Sequence, residues 1–159
     1  MAGRRLHLQA SPEAVRQVAA GEVPLRALAG VSDGQIAAMA TFGSELCRQG
    51  RHGDAAKVIQ GIVALDDSIY YGHAGLGWVA MQLDRLAEAE AHLTKAAFLA
   101  PADASVAANL GETLLRRGQV EEAVAVLDRA IRLGERDHDP GTLRAKALLA
   151  GIRASAMQR

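Results

Sequence analysis

The sequence predicts an all-α solenoid of three helix hairpins, and three observations carry that prediction. Gly43, Gly77 and Gly111 stand 34 residues apart, and Ala55, Ala89 and Ala123 repeat the same interval twelve residues further on. Around each glycine the spacing i, i+3, i+4, i+7 recurs, as Met39, Phe42, Gly43, Leu46, then His73, Leu76, Gly77, Ala80, then Ala107, Leu110, Gly111, Leu114, which marks one buried helix face. Each ladder alanine is followed four residues later by Ile59, Leu93 or Leu127, so a second helix also buries a single stripe.

Composition sets the frame for these elements. A chain of 159 residues is long enough to bury a core without disulfide or metal staples. Its 18 basic and 18 acidic residues cancel, with no strongly basic stretch, so nucleic acid and anionic membrane are not expected partners. A single Cys47 cannot form an internal disulfide, and "MAGRRLHLQASPEA" lacks the apolar core of a secretory signal, so a cytoplasmic location is expected. The longest uncharged run, Ser68 to Leu83, is shorter than the roughly 18 to 20 residues that cross a bilayer. Arginine outnumbers lysine 15 to 3, which fits a GC-rich bacterial genome.

In chain order, Ser11-Pro12 starts a short helix through about Ala20, and "GEVPLRALAG" makes a second brief turn before Ser32-Asp33 caps the first long helix. Three units are expected at 36–69, 70–103 and 104–137. Their helices are joined by "RQGRHGD", "LDRLA" and "RRGQVE", two of which place glycine at the end of the first helix. Asp139 and Pro140 then start a helix in the segment 138–159. Leu143, Leu148 and Ile152 share one side of it, and it caps the last hairpin while its basic tail reads as a solvated face. Residues 1–35 form an N-terminal segment with residues 1–10 expected to be loosely ordered; Val15, Val18 and Leu25 give it only a faint apolar stripe.

This pattern resembles the tetratricopeptide repeat. Gly and Ala at the ladder positions suit it because larger side chains would hold the paired helices apart. Pro101 keeps the proline place after the second unit, whereas Asp67 and Glu135 stand there after the first and third, and His73 replaces a bulky aromatic.

The stretch "YYGHAGLGWVAMQL", Tyr70 to Leu83, holds both tyrosines and the only tryptophan without one charged residue. Gly75, Gly77 and Ala80 satisfy the loose dinucleotide pattern G-x-G-x-x-A, but the segment after it reads as a helix rather than a second strand, and Gly77 is accounted for by the ladder. A second stripe of this helix, Tyr71, Ala74, Trp78 and Met81, faces the concave side of a hairpin stack. Its counterparts are Ala37, Ala40, Ser44 and Cys47 in the first unit, and Ser105, Ala108, Glu112 and Leu115 in the third. Two readings stand for Trp78: an anchor in a peptide groove, or core packing under a neighbouring element. Only Arg48 and Arg116 lie near that face, which speaks against a clamp for a free carboxyl terminus.

The order of features from about Gly21 to Leu133 resembles the small tetratricopeptide chaperones of bacterial type III secretion. It rests on "GEVPLRALAGVSDGQ", "GRHGDAAKVIQGIVALD", "GLG" at Gly75 to Gly77, and "GETLLRRGQVEEAVAVL". The resemblance implies a non-enzymatic homodimer without cofactors, whose groove takes an extended N-terminal segment of hydrophobic translocator proteins. Tyr71, Trp78 and Met81 fall where that family presents anchors. The small residues on the first wall depart from it, so a pocket shallower or shifted toward the second and third units is expected. A generic tetratricopeptide scaffold joining soluble proteins is the alternative.

Other chemistry has little support. The histidines His7, His52, His73, His92 and His138 show no i, i+4 pairing with each other or with Cys47, so no metal site is expected. His73 is expected to pack inside its hairpin against a carbonyl. Asp66-Asp67 and Glu121-Glu122 are expected at helix starts, where the dipole favours them, and none of these groups is read as catalytic.

Overall fold

A computed structural model describes residues 11–134 and 139–157, which form helices without a strand. The expectations for residues 1–10, Glu135, Asp137 and His138 lie outside the described residues. Helix α1 (Pro12–Ala19) starts on Ser11, whose Oγ accepts from the Ala14 N–H at 3.1 Å, and α2 (Leu25–Ala29) ends on Gly30 at φ 63°. Helix α3 (Asp33–Arg48) opens with a reciprocal Ser32–Gln35 capping box. It pairs with α4 (His52–Leu65), α5 (Tyr70–Gln82) with α6 (Leu86–Leu99), and α7 (Ala104–Arg116) with α8 (Val120–Leu133). Helix α9 (Pro140–Met157) lies against both α7 and α8.

The ladder residues sit where the two helices of a hairpin touch. A methyl group on Gly77 would stand 2.5 Å from Leu93 Cγ, one on Gly111 2.6 Å from Leu127, and one on Gly43 2.9 Å from Ile59. Ala55, Ala89 and Ala123 are fully buried opposite them. A third ladder lies in the turns. Gly50, Asp84 and Gly118 each adopt a positive φ, at 74°, 56° and 80°, because the chain must reverse in the same way after each first helix.

Three expectations are corrected. Phe42 is 57% exposed, although it belongs to the buried frame. Its counterparts Leu76 and Leu110 pack onto the hairpin before their own, whereas among the described residues no helix packs on that side of the first one: α1 lies against α2, and α2 lies against α4 and meets α3 through the Arg26–Asp33 pair. Leu143 is 51% exposed, because Gly141 meets the backbone of Ala104 and Ser105 and so rotates α9 to bury Thr142, Ala145 and Leu149. Asp66 closes α4 rather than opening a helix. It is 5% exposed and accepts from Ser68 Oγ at 2.6 Å and Arg26 Nε at 2.6 Å, while Arg26 also pairs with Asp33. This network ties the N-terminal turn to the first hairpin.

Candidate functional site

The concave face is built from the first helices of the hairpins. On α3, Ala37 and Ser44 are exposed and Ala40 and Cys47 half-buried. On α5, Tyr71 is 39% exposed and stacks edge-on with Tyr70 at 5.8 Å between ring centroids. Because α3 presents only small side chains, a cavity of about 360 Å³ opens between Ala37, Ala40, Ser44, Tyr71 and Gly75, floored by Ile59 and Ile62. The small residues expected to make the pocket shallower or shifted toward the second and third units thus line a hollow at the first hairpin, while a larger one, of about 660 Å³, lies beside Leu115 and Val120 of the third.

Trp78 is packed on one side and borders open space on the other. It is half-buried, its ring meets His52 edge-on at 5.6 Å, and it packs on the cluster of Leu46, Ala55 and Ile59. Its other side borders a hollow shared with Ser105, Asn109, Pro140, Gly141 and Arg144. Ala74 beside it is half-buried.

Two expected wall residues present no surface. Met81 is 2% exposed because it fills the junction of α5 with α6, beside Ala80, Ala89 and Leu93. Ala108 is fully buried under Ala145 and Leu149 of α9. Glu112, also on α7, lies 3.6 Å from Arg144, whose guanidinium donates to Asn109 Oδ1 at 2.7 Å. Ser105 stays exposed and Leu115 half-buried at the two ends of α7. Helix α9 thus occupies much of the third hairpin's concave face. The sequence reading missed Gly141 and Arg144, whose only signal was a glycine just inside a helix start.

The charges near the face are already engaged. Arg48 donates to both carboxylate oxygens of Glu45, at 2.6 and 2.8 Å, and that hydrogen bond with the one from Gln49 holds the Glu45 carboxyl down at about 2. Arg116 donates to the Met81 carbonyl at 3.0 Å and to Asp84 at 2.8 Å. Burial pushes the Cys47 thiol up from its ordinary value, away from the thiolate a nucleophile needs.

Behind the wall, His73 is 5% exposed, with Nε2 2.9 Å from Asp67 Oδ1 and 3.2 Å from the Asp67 carbonyl, and Nδ1 3.2 Å from His92 Nδ1. One tautomer pair satisfies all of these: His73 donates from Nε2 to Asp67 and accepts at Nδ1 from His92. Burial first, and the nearby His73 second, lower the His92 pKa, and Lys95 at 3.0 Å lowers that of Asp67. No group of three or more His, Cys, Asp or Glu able to hold a metal ion occurs among the described residues. Nor is any described helix long and apolar enough to cross a membrane. Gly75, Gly77 and Ala80 lie inside α5, which begins at Tyr70, so no strand precedes them to make a dinucleotide turn.

The tetratricopeptide-repeat family model matches residues 40–104 and 74–140. No curated protein sequence matches the chain. Among solved structures, a type III secretion complex from Aeromonas hydrophila aligns at a TM-score of 0.79 and 21% identity, over 92% of this chain and 99% of that one. The translocator chaperone SycD of Yersinia enterocolitica aligns at 0.74 and 20% identity, over 81% and 98%. The same chaperone in complex with a peptide of the translocator YopD aligns at 0.71 and 21% identity, over 79% and 98%. At these identities the likeness is one of fold.

Proposed function

The chain belongs to the tetratricopeptide-repeat family, and from that premise we propose that it is a cytoplasmic chaperone of a bacterial type III secretion system, binding hydrophobic translocator proteins without chemical turnover. The observation that carries this reading is the open apolar cavity between α3 and Tyr71, on a face whose arginines are already paired. Such a face offers burial to apolar side chains and little to a terminal carboxylate. The repeats are taken as 36–69, 70–103 and 104–137. The groove is taken as Ala40, Ser44, Cys47, Tyr71, Ala74 and Trp78, with Glu112 and Leu115 at its far end. SycD, solved with a translocator peptide bound, lends the fold a precedent.

Magnitudes suit reversible holding. Each buried apolar anchor contributes about 1.5 to 3 kcal/mol, whereas micromolar affinity needs about 8 after ordering costs, so three or four anchors suffice. A homodimer through the N-terminal segment belongs to the same proposal, since Val15 and Leu25 are 48% and 41% exposed and, among the described helices, α1 rests on α2 alone.

The test is co-expression with the hydrophobic translocators of the same genome. Tyr71→Ala combined with Ser44→Arg is expected to send the translocator into the insoluble fraction while this protein keeps its helical circular dichroism. An undiminished soluble yield with the folded double variant would sink the reading.

A further inference from the structure

Moving Ser44, Tyr71 and Gly75 forward by one 34-residue period gives Trp78, Ser105 and Asn109. The first three line the hollow between α3 and α5, and the second three line a hollow of about 170 Å³ between α5 and α7, which Pro140, Gly141 and Arg144 of α9 complete. The concave face thus repeats the same place at two neighbouring pairs of first helices. Their chemistry differs. The first hollow is walled by small side chains and Tyr71 and floored by Ile59 and Ile62, whereas the second presents an indole, a hydroxyl, an amide and a guanidinium.

The amide has a fixed orientation. Arg144 Nη1 donates to Asn109 Oδ1 at 2.7 Å, and a guanidinium has donors only, so it is the amide oxygen that faces it and the NH2 that is left over. Among the described residues, neither Asn109 Nδ2 nor Ser105 Oγ has a partner. Both can donate, so the missing group is an acceptor. A carboxylate suits the place poorly: Glu112 lies 3.6 Å from Arg144, and Asp103 and Asp139 already cap the starts of α7 and α9, accepting from the Val106 N–H at 3.0 Å and the Thr142 N–H at 2.8 Å. Three carboxylates therefore stand near one guanidinium, which favours a neutral acceptor.

We propose that Asn109, positioned by Arg144, donates from Nδ2 to a main-chain carbonyl of the extended peptide in the groove, with Ser105 Oγ as a second donor. Packed helices lie about 10 Å apart and an extended chain rises about 3.3 Å per residue, so this contact falls about three residues from the side chain that fills the Tyr71 hollow. The assignment rests on the groove reading and adds what the groove selects: an apolar side chain at one place, and at the next an uncharged stretch recognised through its backbone.

The experiment follows the Asn109 side-chain NH2 signals and the Ala37 and Ala40 methyl signals by NMR in the full chain. The probe is the capped peptide Ser-Thr-Ser-Leu-Ser-Thr-Ser, whose central leucine leaves the same reach in either chain direction. It is expected to move both sets of signals, and alanine in place of both threonines should leave the affinity unchanged, because the contact is to the main chain. Asn109→Asp keeps an oxygen for Arg144 but loses the donor, so it is expected to weaken binding roughly tenfold while helical circular dichroism is retained; a purely structural role toward Arg144 would leave binding intact. Undiminished binding by the folded Asn109→Asp variant would overturn the assignment. So would a probe with glutamate for both threonines that binds tighter and loses this gain in high salt, since that marks a carboxylate site. If Asn109→Asp does not fold, the NH2 shift in the unaltered chain decides. Movement at Ala37 and Ala40 with a still Asn109 NH2 overturns the assignment and leaves the groove reading standing, movement at Asn109 alone supports the assignment where the Tyr71 hollow fails, and no movement at either place removes both.

Discussion

Gly77 and Gly111 are required by the leucines across the hairpin. The added methyl would come within 2.5 to 2.6 Å of a branch carbon that has no free direction to move, whereas at Gly43 it meets Ile59 Cγ1 at 2.9 Å. Gly77→Ala and Gly111→Ala are therefore each expected to cost about 1 to 3 kcal/mol, and Gly43→Ala less, read from urea midpoints. Gly118 differs in cause. Its Cβ would meet nothing, so Gly118→Ala isolates the strain of φ 80°, about 1 kcal/mol. The ladder glycines were legible from the period, and the role of Asp84 in the turn ladder was not, because aspartate adopts a left-handed backbone only occasionally and is common in ordinary turns as well. His92 gives a pH prediction. Its folded pKa is lowered, so the unfolded chain binds more protons there as pH falls through about 6.5, and stability drops from that point down to the folded pKa. The groups facing it are His73, Glu88 and Asp67, the last paired with Lys95; the carboxylate contribution of Asp67 is lost only at lower pH, below its ordinary value of 3.8. His92→Gln should flatten the urea midpoint between pH 7.5 and 5.5; an unchanged slope would assign the loss elsewhere.

At the scale of elements, what the caps could announce was readable before the fold. Ser11, Ser32 and Asp139 precede their helices with the oxygen that the first turn needs, as sequence signals imply. The rotation of α9 was not readable, since three apolar residues on one side fit more than one docking angle. Gly141 decides it: a methyl there would fall 2.4 Å from the Ser105 backbone nitrogen and 2.5 Å from the Ala104 carbonyl carbon, which cannot yield as a side chain can. Gly141→Ala is expected to lift α9 from α7 and expose Ala108 and Leu149, at a cost of about 1 to 3 kcal/mol. Hydrogen exchange in α9 should rise selectively; unchanged protection there would mean that the helix docks through its later turns alone.

For the whole molecule, the stack has two unlike ends. Helix α9 covers the third hairpin, while the outer face of α3 stays bare at Phe42. Phe42→Ser is expected to leave monomer stability within about 0.5 kcal/mol, as an exposed position should, and light scattering will show whether self-association depends on this end. The sequence by itself determined the helices, their pairing and the 34-residue frame, because each follows from contacts within one hairpin that recur at fixed spacing. Which part of the concave face is open was decided only by the tertiary structure. Met81 and Ala108 share the groove's periodicity, yet one is buried at the α5–α6 junction and the other lies beneath α9. Periodicity specifies the direction a side chain takes from its own helix. What stands opposite it depends on how separate elements come to rest, and here that rest is set by close approach at Gly141 and by small residues on α3 that leave space unfilled.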